Sequence, residues 1–199
     1  MSNYTESIEK LIECLTRLPG IGRRSAERII TYILNASKDE IRILAEAIYK
    51  TKENVQFCRV CNNLSEQETC RVCQDNRRNR SIVCVVEKPS DVNAIEKAGN
   101  YNGLYHVLLG SIAPLEGRGP SDLKIDGLVN RIKQEGIKEA IIATDADTEG
   151  ETTALYLVKI LKPLGVKITR IGVGIPMGSN LEYADATTLS RSLDARREI

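Results

Sequence analysis

Apolar residues recur at helical spacing in the N-terminal part of the chain: Ile8, Leu11, Ile12 and Leu15, then Ala26, Ile29, Ile30 and Ile33, then Ile41, Leu44, Ala45 and Ile48. This pattern predicts a small helical region from about Glu6 to Thr51. From Ser81 onward, short β-branched runs alternate with amphipathic stretches. Ile82–Val86 predicts a strand buried on both faces, and Leu104–Leu109, Glu139–Ala143 and Val166–Ile171 predict three more. The intervening segments predict helices: Asp91–Ala98 capped by Ser90, a helix capped by Ser121 or Asp122 and running to Gln134, and Gly150–Leu161 with Pro163 just beyond it. Such alternation means parallel strands joined by crossover helices. Thr187 or Thr188 is expected to cap a last short helix ending near Leu193, before a polar tail.

Between the two regions lie four cysteines in two tight pairs, Cys58-x-x-Cys61 and Cys70-x-x-Cys73. A Cys-x-x-Cys turn aims two thiolates at one point, and two such turns supply the closed tetrahedral shell of a structural Zn²⁺ ribbon. With all four positions filled by protein, the metal is a staple and not a catalyst. Iron in a rubredoxin-like site has the same ligand spacing. A redox pair would call for a strand-then-helix setting, whereas here both pairs lie in polar, turn-rich sequence. Cys14 and Cys84 sit in apolar runs and are expected to be small core residues. The basic stretch Arg77-Arg78-Asn79-Arg80 reads as a solvated linker.

Composition narrows the picture. The chain has 199 residues, 42% of them hydrophobic and 28% charged, enough to bury a core. No apolar run approaches the ~20 residues of a membrane span, and the N-terminus lacks the basic-then-apolar order of a secretory signal. Reduced, metal-arranged cysteines point to the cytoplasm, and the lack of a long apolar run leaves no membrane partner expected. A net charge of +1 leaves nucleic-acid binding to local patches, and one Phe with no Trp argues against base-stacking platforms.

Two stretches carry candidate chemistry. Leu18-Pro19-Gly20-Ile21-Gly22-Arg23-Arg24-Ser25-Ala26 lies between two helical runs. Gly20 and Gly22 make a tight turn that lets backbone approach a phosphate, the next helix opens there with free N–H groups, and Arg23, Arg24 and Arg28 add positive charge. This resembles a helix-hairpin-helix motif, a reader of the DNA backbone that positions without specifying sequence; a plain αα-hairpin with solvated arginines is the alternative. The second stretch is a set of acids at strand ends: Glu87 after the first buried strand, and Asp145, Asp147, Glu149 and Glu151 after the third. Loops at the carboxyl ends of strands line the functional crevice of open α/β sheets. Carboxylates converging there would repel unless a hard cation such as Mg²⁺ lay between them. A Glu after one strand and Asp-x-Asp after another resembles the toprim domain. A solvated helix N-terminus accounts for Glu149 and Glu151 but not for Glu87. Gly110–Pro120 reads as a flexible loop able to contact phosphate, although no G-x-x-x-x-G-K-[ST] occurs in the chain. His106, the only histidine, lies in an apolar strand and reads as core. Asp185 could mimic a metal-holding acid of an ATPase.

The order of these parts is more specific than any one of them. The strings Leu18-Pro-Gly-Ile-Gly, the cysteine quartet, Val85-Val-Glu-Lys-Pro-Ser-Asp, Pro114-Leu-Glu-Gly-Arg-Gly-Pro, Glu149-Gly-Glu-Thr-Thr-Ala and Thr187-Thr-Leu-Ser-Arg-Ser-Leu together resemble the RecR family of bacterial recombination mediators over essentially the whole chain. The fold expected is a multi-module α/β protein. Its parts are a helix-hairpin-helix region over residues 1–54, a four-cysteine zinc ribbon over 55–76, a toprim-type parallel-sheet domain over 80–174, and a glycine-containing C-terminal segment with a short helix over 175–199. The resemblance implies a non-catalytic, oligomeric, clamp-like scaffold, a homotetramer. The same resemblance implies that it binds single-stranded, duplex and gapped DNA at the nucleoid and acts with RecO and RecF to load RecA on single strands coated by single-strand-binding protein. Arg24 and Arg28 stand where the family carries its basic DNA contacts, and the acids from Glu87 to Glu151 belong to a face that helps engage RecO. Asp145-Ala146-Asp147 replaces an Asn-Pro-Thr common in the family, which strengthens the case for Mg²⁺. Ser179-Asn180, within Met177–Glu182, replaces an expected Gly-Glu. The rival reading is a metal-dependent toprim enzyme acting on phosphodiesters, with Glu87, Asp145 and Asp147 holding the ions.

Overall fold

The computed structural model describes residues 4–172, 174–175 and 178–196. Two compact units divide it, Met1–Val55 and Gln56–Ile199.

In the first unit, α1 (Glu6–Thr16) and α2 (Arg23–Asn35) bury a small core of Ile12, Ala26 and Ile30, ringed by Ile8, Leu11, Leu15 and Ile21. These are the positions that the helical period brings to one stripe on each helix. Helix α3 (Lys38–Asn54) starts at Ser37, whose hydroxyl accepts from the Glu40 amide at 3.2 Å while the Glu40 carboxylate accepts from the Ser37 amide at 2.9 Å. That reciprocal box satisfies two otherwise orphaned donors. The α3 period is helical as expected, yet none of its residues is buried, and Ile43, Ile48 and Tyr49 are each more than 60% exposed. Cys14 departs from expectation in the same way: it lies on the exposed side of α1.

In the second unit, β1 (Gln56–Phe57) and β2 (Leu64–Ser65) pair antiparallel, and α4 (Arg71–Gln74) completes the cysteine module. The toprim-type sheet follows: β3 (Asn79–Val86), α5 (Pro89–Ala98), β4 (Gly103–Val107), α6 (Ile125–Gln134), β5 (Glu139–Ala143), α7 (Thr148–Leu161) and β6 (Lys167–Arg170). The sheet order is β4-β3-β5-β6 and every pairing is parallel, with Val85 opposite both His106 and Ile142. Alternation along β3 sends Val83 and Val85 into one core with Leu128, Ile132, Leu157 and Leu161, and Cys84 and Val86 into a second with Val92 and Tyr105. That two-faced burial is why β3 reads as an unbroken apolar run. Helix α8 (Ala186–Asp194) is the last element among the described residues.

Several local expectations give way to tertiary structure. Arg77–Arg80 is not a solvated linker throughout: β3 already begins at Asn79, and the Arg78 side chain is 12% exposed and paired with Glu96. Helix α5 starts at Pro89 and not after Ser90, with Asp91 accepting from the Lys88 amide at 2.7 Å. Residues Pro120–Asp122 form a 3₁₀ turn and α6 begins only at Ile125, because Lys124 turns its amide to Leu108 O at 3.0 Å. The α8 cap is Asp185, whose carboxylate accepts from both the amide and the hydroxyl of Thr188, so that acid serves a helix end. Residues 111–113 of the glycine loop are buried, and Ala113 and Arg118 pair across its neck, so the expected flexible phosphate loop is a braced turn. Within Met177–Glu182, Met177 lies outside the described residues.

Candidate metal centre, helix-hairpin turn and acidic crevice

The four cysteines lie side by side although their pairs are separated in sequence. The β1–β2 hairpin presents Cys58 and Cys61, and the start and body of α4 present Cys70 and Cys73. All four are buried, and their sulfurs lie within 4.8 Å of one another. Cys61 Sγ and Cys70 Sγ are 3.5 Å apart, close to the edge of about 3.8 Å that Zn–S bonds of ~2.3 Å imply for a tetrahedron. The Cys70 amide donates to Cys58 Sγ at 3.3 Å, the kind of outer hydrogen bond that steadies a thiolate ligand. The thiols also show why a cation is needed. Hydrogen bonding to Cys70 holds the Cys61 thiol well above its ordinary range, and accepting from Cys61 pulls Cys70 down. Crowded thiols cannot all ionise together, and a dication removes that conflict. The site holds structural zinc.

The helix-hairpin turn is built by glycine where the backbone demands it. Gly20 has φ +78°, in the left-handed region, and Ile21 donates back to Leu18 O at 3.1 Å. Gly22 is the N-cap of α2, so the first turn of that helix opens directly behind the hairpin. The three sequence-selected arginines behave differently. Arg23 pairs with Glu9 and Glu27, each at 3.2 Å, and is committed to joining α1 to α2. Arg24 and Arg28 are exposed and make no ion pair among the described residues. Arg28 also borders a shallow hollow of about 350 Å³ with Ser25, Ile29 and Tyr32.

The acids stand at the carboxyl ends of β3 and β5, as the pattern predicts, but each is engaged locally. Glu87 is 2% exposed, and its Oε1 accepts from the Asp145 amide at 3.0 Å. Burial pushes its carboxyl up, opposed by that amide and reinforced by the charges of Asp145 and Asp147. Asp145 faces Lys88 Nζ at 3.5 Å, and Asp147 caps α7 by accepting from Gly150 N at 2.7 Å. Glu149 accepts from Ser111 Oγ at 3.0 Å, and Glu151 pairs with Arg170. Gly150 is required here: a Cβ would fall 2.2 Å from Asp145 O, so only glycine lets the 145–150 turn close. Among the described residues, the cysteine quartet is the only group of three or more potential metal ligands whose donor atoms come together within 4.8 Å. The acids line one crevice without their oxygens gathering that closely among the described residues. Asp145 meets Lys88 through Oδ2 and Asp147 caps the helix through Oδ1, which leaves one carboxylate oxygen of each outside these contacts.

Pattern reading missed the cations of this crevice. Lys88 and Arg170 come from strand ends, where sequence gives no sign of which acid they will meet. Arg170 also borders a hollow of about 390 Å³ with Asp91, Ile95, Thr144 and Asp145.

A metal-stapled ribbon leading into a parallel sheet with acids at its strand ends, together with a glycine hairpin between two helices, defines a zinc-containing, multi-module toprim protein. Residues 81–172 match the family model of the toprim domain. Residues 8–51 match that of the RecR helix-hairpin-helix, residues 55–75 that of the RecR four-cysteine zinc finger domain, and residues 174–197 that of the RecR C-terminal region. The chain belongs to the RecR family. Membership gives it a role in DNA repair as a recombination mediator, argues for a non-catalytic part in that process, and, through the helix-hairpin-helix, argues for DNA binding. No helix among the described residues is long and apolar enough to cross a membrane.

Proposed function

We propose that this protein binds DNA through the α1–α2 hairpin as an oligomeric clamp-like scaffold and acts with RecO and RecF to load RecA on single strands coated by single-strand-binding protein. The observation that carries the DNA reading is the pair Arg24 and Arg28, exposed, without an ion pair among the described residues, behind a glycine turn at a helix N-terminus. Arg23 supports the site indirectly by fixing the hairpin. Binding of this kind rests on phosphate contacts and falls steeply with salt. Arg24→Glu is expected to weaken binding to gapped DNA by about tenfold or more at low salt, with an unchanged circular dichroism spectrum. Wild-type affinity in a folded variant would reject the assignment.

An oligomer is supported by the uncovered side of α3, where Ile43, Leu44, Ile48 and Tyr49 expose apolar surface that a second copy would bury. Ile48→Asp is expected to lower the mass measured by light scattering, toward that of one chain; an unchanged mass would remove α3 from the interface. The exposed Asp145 and Asp147, with Glu87, Glu149 and Glu151 behind them, are read as the RecO-docking face. A DNA-repair role puts the protein in the cytoplasm, at the nucleoid.

The non-catalytic reading is supported by family membership and by acids that each have a local partner: a backbone amide, a helix cap, a hydroxyl or an ion pair. End-labelled gapped DNA incubated with the protein, Mg²⁺ or Mn²⁺ and nucleotides is expected to shift in mobility without cleavage, ligation or extension. Metal-dependent strand chemistry lost in Glu87→Ala would establish the enzyme instead.

A further inference from the structure

Strand β4 lies at the edge of the sheet, where outward-facing backbone groups must find partners or remain open to foreign strands. Three of its carbonyls are capped by side chains. Arg78 Nη1 donates to Gly103 O at 3.1 Å, Arg131 Nη1 to Tyr105 O at 2.7 Å, and Asn62 Nδ2 to Val107 O at 3.1 Å. The first two caps are held by the sheet domain itself: Arg78 is paired with Glu96 of α5, and Arg131 belongs to α6 and is paired with Glu135. The third belongs to the ribbon. Val107 also donates its amide to Cys61 O at 2.8 Å, so both backbone groups of that residue are closed by a metal ligand and its neighbour.

We propose that the zinc ribbon is a releasable lock on the β4 edge, in which the Cys61 carbonyl holds the Val107 amide and Asn62 is the positioning residue that closes the Val107 carbonyl. Asn62 suits both tasks. It has φ 60°, left-handed, in the turn closed by its amide on Cys58 O at 2.9 Å, and asparagine tolerates that conformation while carrying an amide donor. Val72 of α4 packs against both the cysteine cluster and the sheet core beneath β4, which seats the ribbon on the edge.

The lock reaches the acidic crevice through consecutive residues. Leu108 donates to Val86 O at 2.9 Å, Gly110 donates to Glu87 O at 3.0 Å, and Ser111 Oγ donates to Glu149 at 3.0 Å. Leu109 between them has φ 64°, and it and Asn62 are the two non-glycine residues with positive φ among those described. A leucine held there stores strain of order 1 kcal/mol, which the contacts on either side must sustain. Loss of zinc frees the Cys61 carbonyl and Asn62, unpairs Val107 and slackens the turn that positions Glu87 and Glu149. Structural zinc and this geometry carry the lock, independently of the DNA and RecO readings.

Hydrogen–deuterium exchange on the full chain tests it. Asn62→Gly keeps the left-handed turn and removes only the side-chain amide, so zinc content is expected to stay at one per chain. Peptides covering residues 105–111 should then exchange roughly fivefold faster, while peptides within 154–161 of α7 keep wild-type rates. Asn62→Asp, which accepts but cannot donate, should behave as Asn62→Gly does. Chelation of the wild-type protein under reducing conditions should accelerate the same 105–111 peptides and again spare α7. Wild-type exchange over 105–111 in zinc-loaded Asn62→Gly overturns the proposal. So does loss of zinc in that variant, since Asn62 would then act within the ribbon. Acceleration of α7 together with β4 on chelation also overturns it, since the metal would then staple the whole domain.

Discussion

Replacing Cys58 and Cys70 by serine is expected to abolish zinc binding and unfold the ribbon, leaving the helical signal of the first unit in place. The physical reason is the poverty of the ribbon without its metal. Its strands are two residues each, its helix is four residues, and its buried cluster is the four cysteines with Val60 and Val72 packed against them. Too few apolar groups are buried there to offset the entropy of ordering the segment. Structural zinc in comparable small sites contributes roughly 10 kcal/mol or more of folding free energy, which is far beyond what two-residue strands supply. The first unit has its own core in Ile12, Ala26 and Ile30 and does not draw on the metal. Elemental analysis of freshly purified protein should give one zinc per wild-type chain and none in the double variant, with the loss of ribbon structure read by proteolysis between residues 56 and 75. Full zinc content in the variant would refute the ligand assignment.

Stability is expected to fall on mild acidification because of one residue deep in the sheet. His106 is fully buried on β4, its Nε2 lies 2.7 Å from Lys124 O, and its Nδ1 has no hydrogen-bond partner among the described residues. Gly127 of α6 passes close to the ring, where an added Cβ would sit 3.4 Å from it. Burial lowers the imidazole pKa to about 4, the Lys124 carbonyl opposes the shift, and the charge of Arg131 adds to it. The unfolded chain titrates near 6.5, so between pH 6.5 and about 4 it binds a proton that the folded chain refuses. Stability conferred by the neutral ring is thus complete above pH 6.5 and lost as pH falls toward 4. At about 1.4 kcal/mol per unit, the loss is roughly 2 kcal/mol by pH 5 and about 3 near pH 4. Glu87 runs the other way, because its raised pKa favours protonation in the folded state, and acid also weakens thiolate ligation of zinc. Comparison with His106→Gln removes both effects, since the variant shares them. The wild-type urea midpoint should drop more between pH 7 and 5 than that of the variant; parallel slopes would show that His106 carries no such penalty.

Much of the architecture was legible in the sequence because local rules wrote it. The apolar period marked α1 and α2, β-branched runs marked β3 to β6, and the doubled Cys-x-x-Cys spacing marked a four-thiolate metal centre. The glycine hairpin was legible for the same reason, since Gly20 answers a backbone need that the sequence alone displays. What composition and spacing left undecided was which polar side chains would meet. Arg23, Arg24 and Arg28 are equivalent as letters, yet the approach of α1 to α2 commits Arg23 to Glu9 and leaves the other two exposed. The acids form a suggestive string, yet the tightness of the turn at Gly150 and the arrival of Lys88, Ser111 and Arg170 from distant segments give each its own partner. Cys14 and α3 carried core-like patterns, but a period fixes only which residues share a face, and whether that face is covered depends on what else packs there. The clasp between Asn62 and Val107 joins residues 45 apart in sequence. No local signal encodes it, because it exists only once the ribbon and the sheet edge have been folded side by side.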